Sequence, residues 1–500
     1  LSQLKKGAFL NYASIILTNV VGLLLTPFII RSLGDSEYGV YTTIGALVGT
    51  ISLLDLGLNN TIIRFVAQYR AEKDKKGEEN FLAITMLIYL FISIAVVASG
   101  FFIYNYADSY FEQMSIDEIA LAKNMILFVI FNVAISLPGG SFTAICIAYE
   151  NFVFPKALNI IRYIIRSITV TVILLYGGKA MSLVILDTIF NILIIVITIY
   201  YTFTRLNIKI KLHKFEWKYL RRIFSYSIWI FIYGIVAQFQ WKVGHITLSK
   251  ISTPEILSVY AVGLMLGGYY GAFSSAITSV FLPRATKMTV NKATPEMLTT
   301  EMIKIGRVSL IALFYILGAF TLYGLQFVNL WVGETYHDSW VIALMIMIAY
   351  TVPLAQGFTG PLIEAQNKVA FKSIIYLIFL FIGTVIGYFS SLKYGALGMI
   401  TGTVIGWILA QNVMNFFYQR VMKLNILRFF KEIFNKILPI QILIVVIGYA
   451  INFIPGENWL NFIIKGLLYT LTFGILMYFF GMIPFEKKLI KDTFSKFSKK

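Results

Sequence analysis

An all-α polytopic membrane protein is the expected fold, and three observations point to it. Hydrophobic residues make up 58% of the 500 positions and charged residues only 13%, against roughly 25% charged in a soluble domain. Mean hydropathy is +0.78. Apolar runs of about 20 residues, the length that crosses a bilayer core of roughly 30 Å, recur along the whole chain. A cytoplasmic enzyme, a coiled coil and a disordered chain all fit this composition poorly. Cys146 has no second cysteine for an intrachain disulfide, and His213, His245 and His337 leave little from which to build a metal site. No metal and no organic cofactor are expected.

Fourteen runs read as transmembrane helices: 8–30, 39–62, 81–106, 120–147, 157–176, 181–203, 224–247, 256–281, 306–328, 339–363, 369–390, 395–419, 434–454 and 460–483. The first is expected to be retained rather than cleaved as a signal, since it is long and contains Asn19 and Pro27. Pro138, Gly139, Gly140, Arg162, Arg166, Pro353, Gln356 and Pro361 interrupt or decorate the fourth, fifth and tenth runs.

Charge then orients the spans. With the N-terminus inside, alternate loops collect nearly all Lys and Arg, with Arg162 and Arg166 counted among them. The exceptions are Arg31, Lys123, Lys179, Lys242, Lys250, Lys393 and Lys465. Cytoplasmic loops retain positive charge, so both termini are expected in the cytoplasm. The loop 107–119, with Asp108, Glu112, Asp117 and Glu118, falls outside. The net charge of +18 is then a consequence of topology and faces anionic membrane lipids; nucleic acid is not an expected partner.

An internal repeat divides the chain. Glu37-Tyr38-Gly39-Val40-Tyr41, leading to Arg64, resembles Ile256-Leu257-Ser258-Val259-Tyr260, leading to Arg284, at an offset of about 219. Ala148-Tyr149-Glu150-Asn151 pairs with Ala365-Gln366-Asn367-Lys368, and Gly178-Lys179-Ala180 with Gly395-Ala396-Leu397, at nearly the same offset. The offset corresponds to six spans, an even number, so the halves are expected to be two parallel six-helix bundles followed by two additional C-terminal helices. The expected division is 1–203 for the first bundle, 204–223 for a basic cytoplasmic linker, 224–419 for the second bundle, 420–483 for the two extra helices and 484–500 for a basic cytoplasmic tail. Transporters commonly carry substrate between such halves and rock one against the other.

Polar residues within spans are costly and usually face the bundle interior. Asp55 and Asn59 share a helix face at i, i+4, as do Asp187 and Asn191. Gln238, Lys242 and His245 fall on one stripe of the seventh span, which either lines a water-filled cavity or lets Lys242 snorkel outward. With Arg31 and Arg64, this stripe forms the candidate set for an anionic substrate group. Asp55, with Asn59 and Asp187, is a candidate for cavity polarity or for coupling H⁺ or Na⁺. Pro27 and Pro353, which break backbone hydrogen bonds, and Glu150 and Glu364, at related positions after the fourth and tenth spans, are candidate gating positions. No phosphate-binding GxxxxGK[ST] loop occurs, and the external loops are too short for a glycosyltransferase or polymerase site.

These residues resemble a known family. Arg31-Ser32-Leu33-Gly34-Asp35-Ser36-Glu37-Tyr38-Gly39-Val40-Tyr41, with Leu54-Asp55-Leu56-Gly57-Leu58 and Arg64, is similar to the first external turn and second span of Wzx-type O-antigen and capsule repeat-unit flippases. These belong to the multidrug/oligosaccharidyl-lipid/polysaccharide (MOP) exporter superfamily. Tyr394-Gly395-Ala396-Leu397-Gly398 fits as well. The resemblance implies a non-enzymatic, multi-pass protein of the bacterial cytoplasmic membrane. Its cargo would be an undecaprenyl-diphosphate-linked oligosaccharide, moved from the inner to the outer leaflet by alternating access. Glycosyltransferases and a polysaccharide polymerase would be its partners. The alternatives are a cation-coupled multidrug exporter of the same superfamily, a lipid II flippase and, from a different class, a membrane glycosyltransferase or polymerase.

Overall fold

The computed structural model describes residues 3–51, 55, 57–214, 231, 232, 234–236, 238–279, 288, 293–366, 368–489 and 491. Among them the regular structure is helical, with no strand, and ten helices are long and apolar enough to cross a membrane. The chain divides into two compact units, Leu1–Ser258 and Val259–Lys500. The segment carrying Lys242 and His245 therefore packs with the first unit, whereas the spacing of the repeat assigned it to the second bundle. Much of the basic linker and the loop holding Arg284, Lys287 and Lys292 lies outside the described residues.

The first unit opens with α1 (Gln3–Leu33), α2 (Asp35–Ile51) and α3 (Leu58–Ala71). The second expected span, 39–62, is thus not one helix. α2 is described as far as Ile51, and α3 starts at Leu58 and runs on to Ala71. Gly57 takes a left-handed φ of 73° at the restart, a conformation that costs glycine little because it has no Cβ. Next come α4 (Lys75–Tyr110), α5 (Ile116–Ala148), α6 (Val153–Leu175) and α7 (Ala180–Arg205). Their starts are specified locally. Asp74 caps α4 through Gly77 N–H at 2.8 Å, and Ser115 and Glu118 form a reciprocal capping box on α5. Glu37 accepts a hydrogen bond from Ala180 N–H at 2.8 Å, placing a carboxylate at the positive end of α7.

The central helix is α5, packed against α2, α3, α4 and α7. Met125, Ile126, Val129, Ile130, Val133 and Leu137 are buried on it at the three-and-four spacing of a helix face. The outward face of α4 exposes Leu90, Phe91, Ile94, Phe101 and Phe102, an apolar band suited to lipid. After α7, a π-helical turn (Phe239–Val243) precedes α8 (Gly244–Ser249) and α9 (Pro254–Ser279).

In the second unit α10 (Pro295–Trp331) is the hub. It packs against α11 (His337–Ala355), α14 (Ile426–Phe434), α15 (Ile437–Asn452) and α16 (Trp459–Leu476). Between these lie the short α12 (Thr359–Ala365) and the 52-residue α13 (Val369–Arg420). Gly395, at φ 52° and ψ −132°, breaks α13 into two arms. The arms close on each other along glycines: a Cβ at Gly402 would strike the backbone of Gly387, and one at Gly383 would lie 2.7 Å from the Gly402 carbonyl.

Polar bonds fasten α15, α16 and the chain after them to α10 at three depths. Arg307, 4% exposed, ion-pairs with Glu486 at 2.6 Å and donates to the carbonyls of Glu432, Asn435 and Gly481 at 2.8, 2.9 and 3.1 Å. Farther along, Gln441 donates to Phe314 O and Tyr469 to Tyr315 O, at 3.0 and 3.1 Å. At the other end Lys465, buried, reaches Gln326 at 3.3 Å and Asn452 at 3.2 Å.

The glycine seam makes a direct prediction. Gly402→Val should cost about 1–3 kcal/mol or more by overpacking the two arms. Gly466→Ala, where a Cβ meets nothing within 4 Å, should be neutral or slightly stabilising. Thermal unfolding of the purified full-length protein in detergent would measure both.

Candidate functional site

A cavity of about 770 Å³ lies inside the first unit, walled by α1, α2, the start of α3, α5, α6 and α7. Its polar lining is assembled from six separate stretches: Ser14 and Thr18; Tyr41; Asp55 and Asn59; Asn132 and Ser136; Asn159, Arg162 and Arg166; and Asp187 and Asn191. Two of the segments that carried the family resemblance thus contribute: Tyr41 ends the first and Asp55 lies in the second.

Asp55 sits in the interruption between α2 and α3. Its Oδ1 accepts from Asn59 Nδ2 at 2.9 Å and from the Tyr89 hydroxyl at 2.8 Å. Both partners are neutral, and no described cation lies within ion-pair distance. A carboxylate at a helix break has the architecture seen where discontinuous helices hold ions or substrates in transporters. The i, i+4 pair read from the sequence is thus present as a direct hydrogen bond.

Asp187 pairs differently. Arg166 grips it with two nitrogens, Nε to Oδ1 and Nη2 to Oδ2, the latter at 2.8 Å. Arg166 Nη2 also donates to the Tyr41 hydroxyl at 3.3 Å. This fork joins α6, α7 and α2. One turn earlier on α6, Arg162 lines the same cavity half-buried, without a hydrogen bond or ion pair to a described residue. Asn191 donates to Ser136 at 2.7 Å and to Asn132 at 3.1 Å, and Asn132 donates to Thr188 at 2.6 Å. The α5–α7 wall is thus a connected polar network.

Counting Arg162 and Arg166 among the cytoplasmic loop charges is therefore corrected. Both lie within the helix Val153–Leu175 and face the cavity. Their i, i+4 spacing in an apolar run, with Asp187 in the next span, was a signal for this placement.

The other nominated residues do not line this cavity. His245 is 3% exposed, with Nε2 3.2 Å from Thr43 Oγ1. The Thr43 hydroxyl donates to Gly39 O at 2.8 Å, so its oxygen accepts from the Nε2–H tautomer. Gln238 immediately precedes the π turn and Lys242 lies within it. A π turn inserts an extra residue and rotates the helix beyond it, so the stripe drawn from regular helical spacing does not continue unbroken to His245. Lys242 is half-buried, without a hydrogen bond or ion pair to a described residue.

Arg31 and Arg64 are exposed; the Arg64 guanidinium lies 5.8 Å from the Phe65 ring centroid. Pro27 is carried within α1 without ending it, and Pro353 lies two residues before the end of α11. Glu150 is exposed at φ 58° in the turn after α5. Glu364 belongs to α12, but its side chain lies outside the described residues.

The Arg166–Asp187 fork should behave as a partly buried ion pair. Asp187→Ala should cost about 1–3 kcal/mol, because it leaves the guanidinium without its carboxylate. Arg166→Met with Asp187→Leu should recover most of that loss. Melting of the two variants in detergent would test it.

The family profile described as polysaccharide biosynthesis protein matches residues 4–289, the stretch that contains the cavity. A Shigella flexneri protein described as a candidate O-antigen transporter is 23% identical over 426 residues, covering 83% of this chain and 98% of that protein. Among solved structures, the lipid II flippase MurJ in an inward closed conformation superposes with a TM-score of 0.74 at 18% identity, covering 97% of this chain and 100% of that one. An inward-facing multidrug resistance MATE family transporter of the MOP superfamily superposes at 0.57 and 13% identity, covering 83% and 99%. The chain thus belongs to the polysaccharide biosynthesis protein family and shares its membrane-helical fold with the lipid II flippase and the MATE transporter.

Proposed function

We propose that this protein moves undecaprenyl-diphosphate-linked oligosaccharide repeat units from the inner to the outer leaflet by alternating access. The observation that carries this reading is the polar cavity within the first unit, which holds a guanidinium unpaired among the described residues, Arg162, amid hydroxyl and amide groups. A diphosphate needs a cation in a water-accessible site, and a glycan needs many hydrogen-bonding partners. The polyprenyl tail can remain in lipid throughout. An inside-negative membrane potential favours outward movement of an anion by about 2.3 kcal/mol per charge per 100 mV.

In this reading Arg162 contacts the diphosphate. Lys242, half-buried and unpaired among described residues, is the second candidate contact, with Arg31 and Arg64 serving at the mouths. Asp55 is the candidate coupling site for H⁺ or Na⁺, since its hydrogen-bond partners are neutral. The finer architecture proposed is fourteen spans in two parallel six-helix bundles plus two C-terminal helices, with both termini cytoplasmic. The break at Gly395, which divides α13 into two membrane-length arms, supports that count. So do the helix Pro254–Ser279 and the two-part second span. Glycosyltransferases and a polymerase are the expected neighbours in the pathway.

Two measurements test the assignment. Arg162→Ala should lower translocation of lipid-linked oligosaccharide about 10- to 100-fold at equal protein level, the effect of losing a hydrogen bond to a charged group; normal transport would remove Arg162 from the diphosphate site. Asp55→Asn keeps the shape and the Tyr89 and Asn59 contacts. It should abolish the response of transport to imposed pH or sodium gradients, and an unchanged gradient response would eliminate Asp55 as a coupling residue.

A further inference from the structure

A second cavity of about 500 Å³ opens where α3, α4, α5 and α7 end or begin on the face that the charge bias assigns to the cytoplasm. Arg70 and Tyr149 are among its lining residues. The Arg70 guanidinium stacks 3.8 Å above the Tyr149 ring and donates to Ala148 O at 3.1 Å, leaving other donors of its fork uncommitted. The Tyr149 hydroxyl donates to Glu78 at 2.6 Å. Burial and that carboxylate raise the phenol above its usual pKa, so it remains a hydroxyl. Lys73, Lys75 and Lys209 stand around the rim, and none of their side chains makes a hydrogen bond or ion pair with a described residue.

The third wall is held in place by more than chain connectivity. After α7 the segment 206–214 runs back across the start of α4. Asn80 accepts from His213 N and Lys214 N, both at 2.9 Å, and donates to Lys214 O at 2.8 Å. His213 pairs with Glu79 at 2.8 Å, and Ile208 is 5% exposed beneath this stretch of chain. Lys209 is therefore presented to the cavity by an anchored backbone. Glu78 and Glu79 also line the cavity: Glu78 accepts from Tyr149 and feels Arg70 and Lys75, and Glu79 pairs with His213, so the four cations still outnumber the two carboxylates.

We propose that this cavity binds a phosphate group, presented either by an anionic phospholipid headgroup or as free pyrophosphate, between Arg70, Lys73, Lys75 and Lys209. Basic pockets between transmembrane helices on the cytoplasmic side suit phosphate headgroups. The site is separate from the transport cavity and does not depend on the cargo assigned there.

The test uses full-length protein in phosphatidylcholine nanodiscs, with retained lipid counted by native mass spectrometry as phosphatidylglycerol is titrated. In parallel, pyrophosphate is titrated by calorimetry. The triple variant Lys73→Gln, Lys75→Gln, Lys209→Gln should weaken binding about 100-fold, at about fivefold per lysine. The matched variant Lys76→Gln, Lys211→Gln, Lys431→Gln removes the same charge from exposed positions outside the cavity and should change binding less than about fivefold. The triple Lys→Arg variant of the cavity should retain binding, which separates lost charge from lost fold. Selective loss of phosphatidylglycerol identifies the lipid as the source; selective loss of pyrophosphate identifies the soluble ion. Equal weakening in both charge-matched variants, or no binding of either probe, overturns the site.

Discussion

Hydrocarbon solvates neither a charge nor an open backbone group, and this dictates where each polar feature of the protein lies. The interruption of the second span is lined by Asp55, Asn59 and Tyr89, which bond to one another. Arg166 and Asp187 meet as a fork across α6 and α7. Arg307 uses its guanidinium on a carboxylate and three carbonyls, and Lys465 finds two side-chain amide carbonyls. The apolar side chains turn the other way, as the outward face of α4 illustrates.

The two units use buried polarity for different ends. In the second unit the knots at Arg307 and Lys465 are closed. Each binds groups on neighbouring elements, and such satisfied networks fix a unique arrangement. In the first unit the polarity is open. Arg162 and Asp55 share a cavity in which Arg162 feels the Asp187 carboxylate without a described hydrogen bond or close ion pair, and Asp55 bonds only neutral groups. A closed knot holds helices together, whereas an open site has hydrogen-bonding capacity left for something that enters. That contrast sets the open cavity of the first unit apart from the polar fastening of the C-terminal helices in the second.

The external turn that carried the family resemblance has a structural meaning of its own. Glu37 supplies a carboxylate to the start of α7, Ser36 bonds Glu118 of the α5 capping box, and Asp35 O accepts from Ser258. Tyr41, at the end of the turn's sequence, reaches the Arg166 fork. The motif therefore ties the ends of several helices to one wall of the cavity, which gives a physical account of why those residue types stand together.

Much was legible in the chain alone. Hydropathy marked the helices because a span must be long and apolar, and the i, i+4 rule correctly joined Asp55 to Asn59. The membership in a transporter family was legible from Arg31–Tyr41 and Leu54–Leu58. Spacing misjudged Arg162 and Arg166, since basic residues in a soft span look alike whether they end a helix or sit within it. It also drew Gln238, Lys242 and His245 as one stripe, because a π turn leaves no mark in composition. One-dimensional periodicity carries the local energetics of burial. The groups that compensate Arg166, Arg307 and Lys465 lie on other elements, so the fork of Arg166 on Asp187, and the absence of a described hydrogen bond or close ion pair at Arg162, emerge only from packing.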